Sequence, residues 1–249
     1  MYSASYTKWS GIFAVVRALS ATRPVFTADY YSIDGVTGKV ASFIDWNDPT
    51  HAMSQSTSAR QVALPTFDAA IGRLTGNFAG GQVYESNKSP ASFYNYLNAT
   101  PHYAQLVLKP TNTSFAIWAE AGLGTPPDYW NLVNNTGVQY NFARGGTANT
   151  ITRGGTVVAN TPIAMAAWAD SSVPTRALRV SGDATTTTGS VSGTAGAITA
   201  GLSLGARKNL AAGASSMNWR SLIACGLLTT SQRQTMADWV KQDSGLVLP

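Results

Sequence analysis

Short apolar runs recur along this chain at the roughly 8–12-residue spacing typical of antiparallel β proteins, with turn residues between them. The runs are "GKVASFIDW", "GQVYESN", "YAQLVLKP", "SFAIWAEAG", "YWNLVNN", "VQYNFARGG", "IAMAAWAD", "RALRVSGD", "AGLSLGAR" and "WRSLIACGLL". Each has the length of a strand. Gly145-Gly146, Gly154-Gly155 and Gly182-Asp183 supply turns. This spacing predicts an antiparallel sandwich or barrel rather than βα alternation. The last stretch breaks the pattern. Thr229 and Gln232 fit a capping box, in which the hydroxyl takes an orphan amide and the glutamine reaches back. Met236, Trp239 and Val240 share one helical face, and Gly245 offers a left-handed stop. A short amphipathic helix laid against an edge or end of the sheet is expected there.

Composition sharpens this picture. Of 249 residues, 44% are apolar and only 12% charged, about half the charged share of an ordinary soluble domain. Low charge with 23 glycines suits many turns and hydroxyl-rich outer faces, and disfavours a long-helix protein. The net charge is +5, but the 17 Lys and Arg residues are scattered, with Arg207-Lys208 the one adjacent pair. A nucleic-acid binder gathers its cations into a stripe, so no nucleic-acid partner is expected. Cys225 is the single cysteine, which excludes an intrachain disulfide; its apolar setting reads as a buried, inert thiol. No apolar run reaches membrane-spanning length, so no membrane partner is expected. The run "GIFAVV" near the N-terminus is cut off by Arg17 and does not read as a signal peptide.

The order of the motifs carries a resemblance. "ADYYSIDGVTGKVASFIDWND" is followed by "MSQSTSARQVALPTFDAAIGRLTGNFAGGQVYESN", then by "SFYNYLNATPHYAQLVLKPTNTSFAIWAE" and "VANTPIAMAAWADSSVPTRALRVSGD". The closing unit is "LSLGARKN" with "SLIACGLLTTSQRQTMADWVKQDSGL". Over roughly residues 25–248 this series resembles the laminin-G-like members of the concanavalin A-like lectin/glucanase superfamily, of the type found in bacteriophage structural proteins. The resemblance implies an all-β fold, a two-sheet antiparallel jelly-roll sandwich, with the short C-terminal helix as the family's usual ending. Residues 25–249 are then one jelly-roll domain, and residues 1–24 an N-terminal arm or extra strand.

Chemistry is harder to find. Glucanases of this superfamily carry acidic residues at alternate positions of one strand, which places an acid and a nucleophile across a glycosidic bond. Here Glu85 and Glu120 stand alone in the sequence, Asp45 and Asp48 are three apart in a turn-like "DWNDP", and Asp238 and Asp243 belong to the helix. No G-x-S-x-G presents a serine, and His51 and His102 read as loop or hydrogen-bonding residues. No catalytic residue and no enzyme are expected. One cysteine and two histidines disfavour zinc. Calcium is the one candidate metal, through Asp45, Asn47 and Asp48, because lectin-like sandwiches bind it by loop carboxylates; the alternative is that these residues simply make the turn. Otherwise no cofactor is expected.

What remains is a binding surface. Sugar faces use aromatic rings for stacking, with Asn, Asp and Arg addressing hydroxyls. "TPPDYWNLVNN" gathers Tyr129, Trp130, Asn131, Asn134 and Asn135 beside a Pro-Pro turn and is the candidate exposed patch for a glycan or partner. Trp46, Trp118, Trp168, Trp219 and Trp239 lie within strand or helix patterns and are expected in the core. The resemblance implies a non-enzymatic virion structural protein, a bacteriophage capsid decoration or minor tail protein. Its partners would be other virion proteins and further copies of itself, and its location the virion. The alternatives are a carbohydrate-binding module for surface glycans and, less favoured, a glycoside hydrolase.

Overall fold

The structure, a computed structural model, describes residues 24–88, 102–121, 130–134, 139–144, 150–154, 156–170, 175–190, 201–206, 214–226 and 228–249. The N-terminal segment up to residue 23, expected as an arm or extra strand, lies outside them. The first strands are β1 (Val25–Ile33), β2 (Val40–Asp45), β3 (Ala52–Ser54), β4 (Thr66–Asp68), β5 (Arg73–Ala79) and β6 (Tyr84–Ser86). Next come β7 (His102–Pro110), β8 (Ala116–Ala121), β9 (Trp130–Asn134), β10 (Gln139–Arg144) and β11 (Thr150–Gly154). The series ends with β12 (Ile163–Asp170), β13 (Thr175–Val180), β14 (Thr187–Ser190), β15 (Leu202–Leu204), β16 (Ser216–Gly226) and the helix α1 (Thr230–Ser244).

All strand pairs are antiparallel, and the ladder runs β11-β10-β9-β8-β15-β6-β3-β2-β1-β16-β7-β12-β13-β14. The path doubles back at β1. That strand pairs with β16 through Val25, Phe26 and Thr27, then breaks register and continues along β2. Two layers result. A front sheet runs from β2 to β11, and a back sheet holds β1, β16, β7, β12, β13 and β14, with the β4–β5 hairpin joined to the start of β16. Their facing sides form the main core: Phe43, Met53, Tyr84, Leu132, Leu202 and Leu204 from the front, Leu106, Leu108, Met165, Leu178, Trp219 and Leu222 from the back. Phe43 meets Trp219 edge-on across the gap, with centroids 4.6 Å apart. The expected all-β sandwich with a C-terminal helix is therefore present.

The helix sits elsewhere than expected. Its cap is as read: the Thr229 hydroxyl accepts from the Gln232 amide, the Gln232 side chain accepts from the Thr229 amide, and Gly245 stops it at φ 72°. Yet it lies on the outer face of the back sheet rather than at an edge or end. The reason is that β7, β12 and β16 are apolar on both faces. Val107, Ala164, Ala166, Ile223 and Cys225 point outward and need a cover, which Met236, Trp239 and Val240 provide. Cys225 is buried and outside any disulfide, as its apolar setting implied. Trp118, Trp219 and Trp239 are buried, whereas Trp46 and Trp168 are half-buried at the margin of the helix-covered cluster. Arg220 of β16 ties this layer together. It grips Asp243 of α1 through Nε at 2.7 Å and Nη2 at 2.8 Å, while its Nη1 donates to Asp29 of β1. Among the described residues no helix is long and apolar enough to cross a membrane.

Candidate functional site

Because side chains alternate across a strand, the front sheet has an outer face fixed by its inner one. Phe43, Met53, Tyr84, Leu202, Leu204, Ala119, Ala121 and Leu132 point inward. Their neighbours Ser42, Ser54, Glu85, Ser203, Glu120 and Asn131 point outward. The register aligns these six in one row: Ser42 opposite Ser54, Ser54 opposite Glu85, Glu85 opposite Ser203, Ser203 opposite Glu120, Glu120 opposite Asn131. Six strands at ~4.8 Å spacing make the row about 24 Å long. Nothing in the linear spacing shows this ladder, since its members come from six separate segments.

The ladder changes character along its length. Ser42, Ser54 and Glu85 are partly exposed, and the two serine hydroxyls share a hydrogen bond of 3.0 Å. Ser203, Glu120 and Asn131 are buried. The Asn131 amide donates to Glu120 Oε2 at 3.4 Å, and Ser203 Oγ donates to the Glu120 carbonyl at 3.4 Å. Between the two halves lies a small depression lined by Glu85, Ser86, Gly201, Leu202 and Ser203. Asn131 Oδ1 is buried without a hydrogen-bond partner. The other buried, unpartnered side-chain atoms among the described residues are on Gln105, Arg176, Asn218 and Trp219, all in the back sheet. The two glutamates that stand alone in sequence therefore meet on one face, either side of Ser203. Only Glu85 reaches solvent; Glu120 is fully buried.

The other candidates land differently. Tyr129 and Asn135 lie outside the described residues, as does the side chain of Trp130. Asn131 and Asn134 are buried rather than exposed, because β9 runs inside the front sheet. Asn131 belongs to the ladder, and Asn134 donates to the Ser114 carbonyl at 2.8 Å. The side chain of His102 also lies outside the described residues.

The "DWNDP" turn does not fit calcium. Asp45 Oδ1 accepts from the amides of Val25 at 3.0 Å and Asn47 at 2.9 Å, while Oδ2 faces His51 Nδ1 at 3.1 Å. Asp48 Oδ1 accepts from the Thr50 amide at 3.0 Å and hydroxyl at 2.7 Å, and Oδ2 meets Lys88 Nζ at 2.7 Å. The carboxylates thus turn to different donors, and an ammonium stands where a cation ligand sphere would have to form. The hydrogen bond and charge of Lys88, aided by Thr50, hold the Asp48 carboxyl well below the usual range, at about 2. Among the described residues no group of three or more His, Cys, Asp or Glu side chains converges to hold a metal.

His51 is more than a loop residue. Its Nε2 lies 2.8 Å from Ser86 Oγ, so Asp45, His51 and Ser86 form a hydrogen-bonded chain in the style of a hydrolytic triad. Its placement gives it another role. Asp45 and His51 are fully buried, and the Phe26 ring packs edge-on against the imidazole at 5.1 Å. The chain is a polar plug between the sheets that ties β2, β3 and β6 together, beneath the ladder. His51→Ala would leave Asp45 Oδ2 without the imidazole and open a cavity, for an expected loss of about 3 kcal/mol in urea denaturation. Ser86 is expected to stay unlabelled by a serine-directed fluorophosphonate; labelling abolished by His51→Ala would instead make the chain catalytic.

No family model matches the chain, and no curated protein matches it. Solved structures do. A Trypanosoma rangeli sialidase, in complex with a difluoro-KDN compound, superposes with a TM-score of 0.59 at 14% identity, over 91% of this chain and 33% of that one. The same organism's sialidase in complex with sialic acid gives 0.55 at 13% identity, over 91% and 34%. The CBM40 of a Ruminococcus gnavus IT-sialidase, bound to α2,3-sialyllactose, gives 0.51 at 13% identity, over 68% of this chain and 95% of that one. The chain thus spans about a third of the sialidases and almost all of the CBM40 domain. At these identities the likeness is one of fold: this chain shares the β-sandwich architecture of sialidase and CBM40 carbohydrate-binding structures.

Proposed function

We propose that this chain is a non-enzymatic carbohydrate-binding module that takes a glycan on the outer face of its front sheet. The observation that carries the reading is the polar ladder, with its depression between Glu85 and Ser203. The partly exposed end of the row, Ser42, Ser54 and Glu85, offers a sugar ring hydroxyls and a carboxyl at a regular spacing. The fold likeness to a sialyllactose-bound CBM40 supports the same reading. The burial of Glu120 supports a non-catalytic role: among the described residues of the ladder it leaves Glu85 as the one accessible carboxylate, short of the acid–base pair that most glycoside hydrolases use.

The test is a glycan array probed with the protein displayed multivalently. Reproducible binding to a defined glycan set is expected. Ser54→Trp, which places a bulky ring beside Glu85 at the exposed end of the row, should weaken that binding by ~10-fold or more, about 1.4 kcal/mol, with the thermal midpoint unchanged. No binding to any glycan would sink the reading. A virion address, with other virion proteins as partners, is a separate proposal motivated by the sequence resemblance to phage structural proteins. Many copies of the chain in density-purified particles would support it, and its absence from them would end it.

A further inference from the structure

We infer that the outer face of the back sheet carries an oxyanion site at Arg179, over the Trp168 ring and beside the start of α1. It stands apart from the glycan reading, since the ladder lies on the opposite side of the sandwich. Trp168 of β12 is half-buried at the margin of the helix-covered cluster, and two guanidinium groups rest on its ring. Arg179 of β13 has its Cζ 5.1 Å from the ring centroid, and Arg233 of α1 has its own at 4.7 Å. The two carbons therefore lie within about 10 Å of each other, roughly one Debye length at 0.1 M salt. Attraction to the indole face holds each arginine in place, but it does not offset the repulsion between them.

Hydrogen bonds orient both side chains and leave one of them an open edge. Arg233 donates from Nη1 to the Leu228 carbonyl at 2.6 Å and from Nη2 to the Thr230 hydroxyl at 3.1 Å. Arg179 donates from Nε to Thr186 Oγ1 at 3.2 Å. Among the described residues its Nη1 and Nη2 meet no hydrogen-bond or ion-pair partner. Those two nitrogens are parallel donors, a fork that matches both oxygens of a carboxylate or two oxygens of a sulfate or phosphate. Arg179 is half-exposed, so such a group reaches the fork from solvent. The start of α1 adds to the same field. Its first turn holds no acidic residue, and its fourth residue is Arg233, a cation near the positive end of the helix dipole. Breaking that local preference beside an open guanidinium fork is what an anion site requires.

The experiment follows the indole N–H resonance of Trp168 in the intact chain, assigned with Trp168→Phe, during titration with sodium sulfate, phosphate or acetate at ionic strength matched with chloride. A saturable shift is expected, half-complete at about 10 mM or below, as two charge-assisted hydrogen bonds allow. Sulfate or phosphate ahead of acetate assigns the site to a sulfate or phosphate ester, and the reverse order assigns it to a carboxylate. Arg179→Gln should weaken the binding ~10-fold or more, and Arg179→Lys severalfold, because an ammonium keeps the charge but lacks the fork. A thermal midpoint within a few degrees of wild type confirms that both variants fold. No saturable shift with any of the three anions would overturn the inference and leave the arginines as a staple between α1 and the sheet. An equal shift in Arg179→Gln would overturn it too, by placing the anion elsewhere. The side chain of Asp170, two residues after Trp168, lies outside the described residues. Binding seen in Asp170→Asn but not in wild type would show that this carboxyl fills the fork, and would likewise overturn the proposal.

Discussion

Arg220→Ala is expected to unfold this protein far more readily than substitution of any surface cation. Arg220 is almost wholly buried, holds Asp243 with two nitrogens and reaches Asp29 with the third. Removing it strands a buried carboxylate whose other partner is Arg73, at 2.9 Å. Breaking one side of a buried pair costs about 3–5 kcal/mol, and the remaining Arg73 contact argues for the lower end. For a chain this size that is a fall in thermal midpoint on the order of 10 °C. A loss below about 1 kcal/mol would mean the pair is solvated and does not anchor α1. Acid should act through the same groups. Burial pushes the Asp243 carboxyl up, but the hydrogen bonds and charges of Arg220 and then Arg73 outweigh it and hold it below its ordinary value. Asp68 behaves alike: burial raises it, and Lys109, Asn218 and the Ala70 amide more than reverse this. Groups with depressed folded pKa values contribute stability that is fully present above an unfolded value of about 4 and is lost as pH falls through the folded one. The wild-type midpoint should therefore hold from neutral pH to about 4 and decline below it, and in Arg220→Ala that decline should be shallower. A wild-type midpoint insensitive down to pH 2 would contradict the assignment.

Gly205→Ala is the second large effect. Gly205 follows β15 with φ at 94°, donating to the Trp118 carbonyl while accepting from the Ser215 amide. A Cβ there would lie 2.6 Å from Phe78 Cδ1 and 2.8 Å from the Gln82 carbonyl oxygen. Phe78 is fully buried, and a backbone carbonyl has little room to move. Backbone strain and overpacking together should cost ~3 kcal/mol or more. Because β15 is the strand that carries Ser203, the change should also disturb the ladder and weaken glycan binding. Gly81→Ala is the control. Nothing lies within 4 Å of its added Cβ, and its stability should change by less than ~0.5 kcal/mol. Equal effects at the two glycines would show that β15 does not pack as described.

What the sequence made legible depended on whether the signal was local. The capping box at Thr229 and Gln232 and the stop at Gly245 are contacts within a few residues, and they were readable. So were the long apolar runs that became β7, β8, β12 and β16. β1, by contrast, has a mixed alternation because it serves both sheets, and β4 with β5 carry polar and glycine residues that blur the period. The cap and the apolar face mark the helix but not its seat, since only the sheet's register reveals that Val107, Ile223 and Cys225 need an outer cover. The site was the least visible part. Glu85 and Glu120 lie far apart in sequence, and the strand between them, β15, comes from near the other end of the chain. His51, Asp45 and Ser86 were likewise joined by folding rather than by spacing. The stretch "TPPDYWNLVNN" points to Asn131 as a surface residue, yet what ties it to the ladder is its cross-strand partner Glu120.

The most direct test of the ladder as the ligand face is a crystal structure of the chain with the best-binding array glycan. The account predicts a sugar ring in the depression, with a hydroxyl donating to the Glu85 carboxylate at roughly 2.6–3.0 Å and a second hydroxyl on the Ser203 side. A sugar bound instead against the back sheet, the helix or the Asp45–Asp48 turn, with the front face bare, would contradict it.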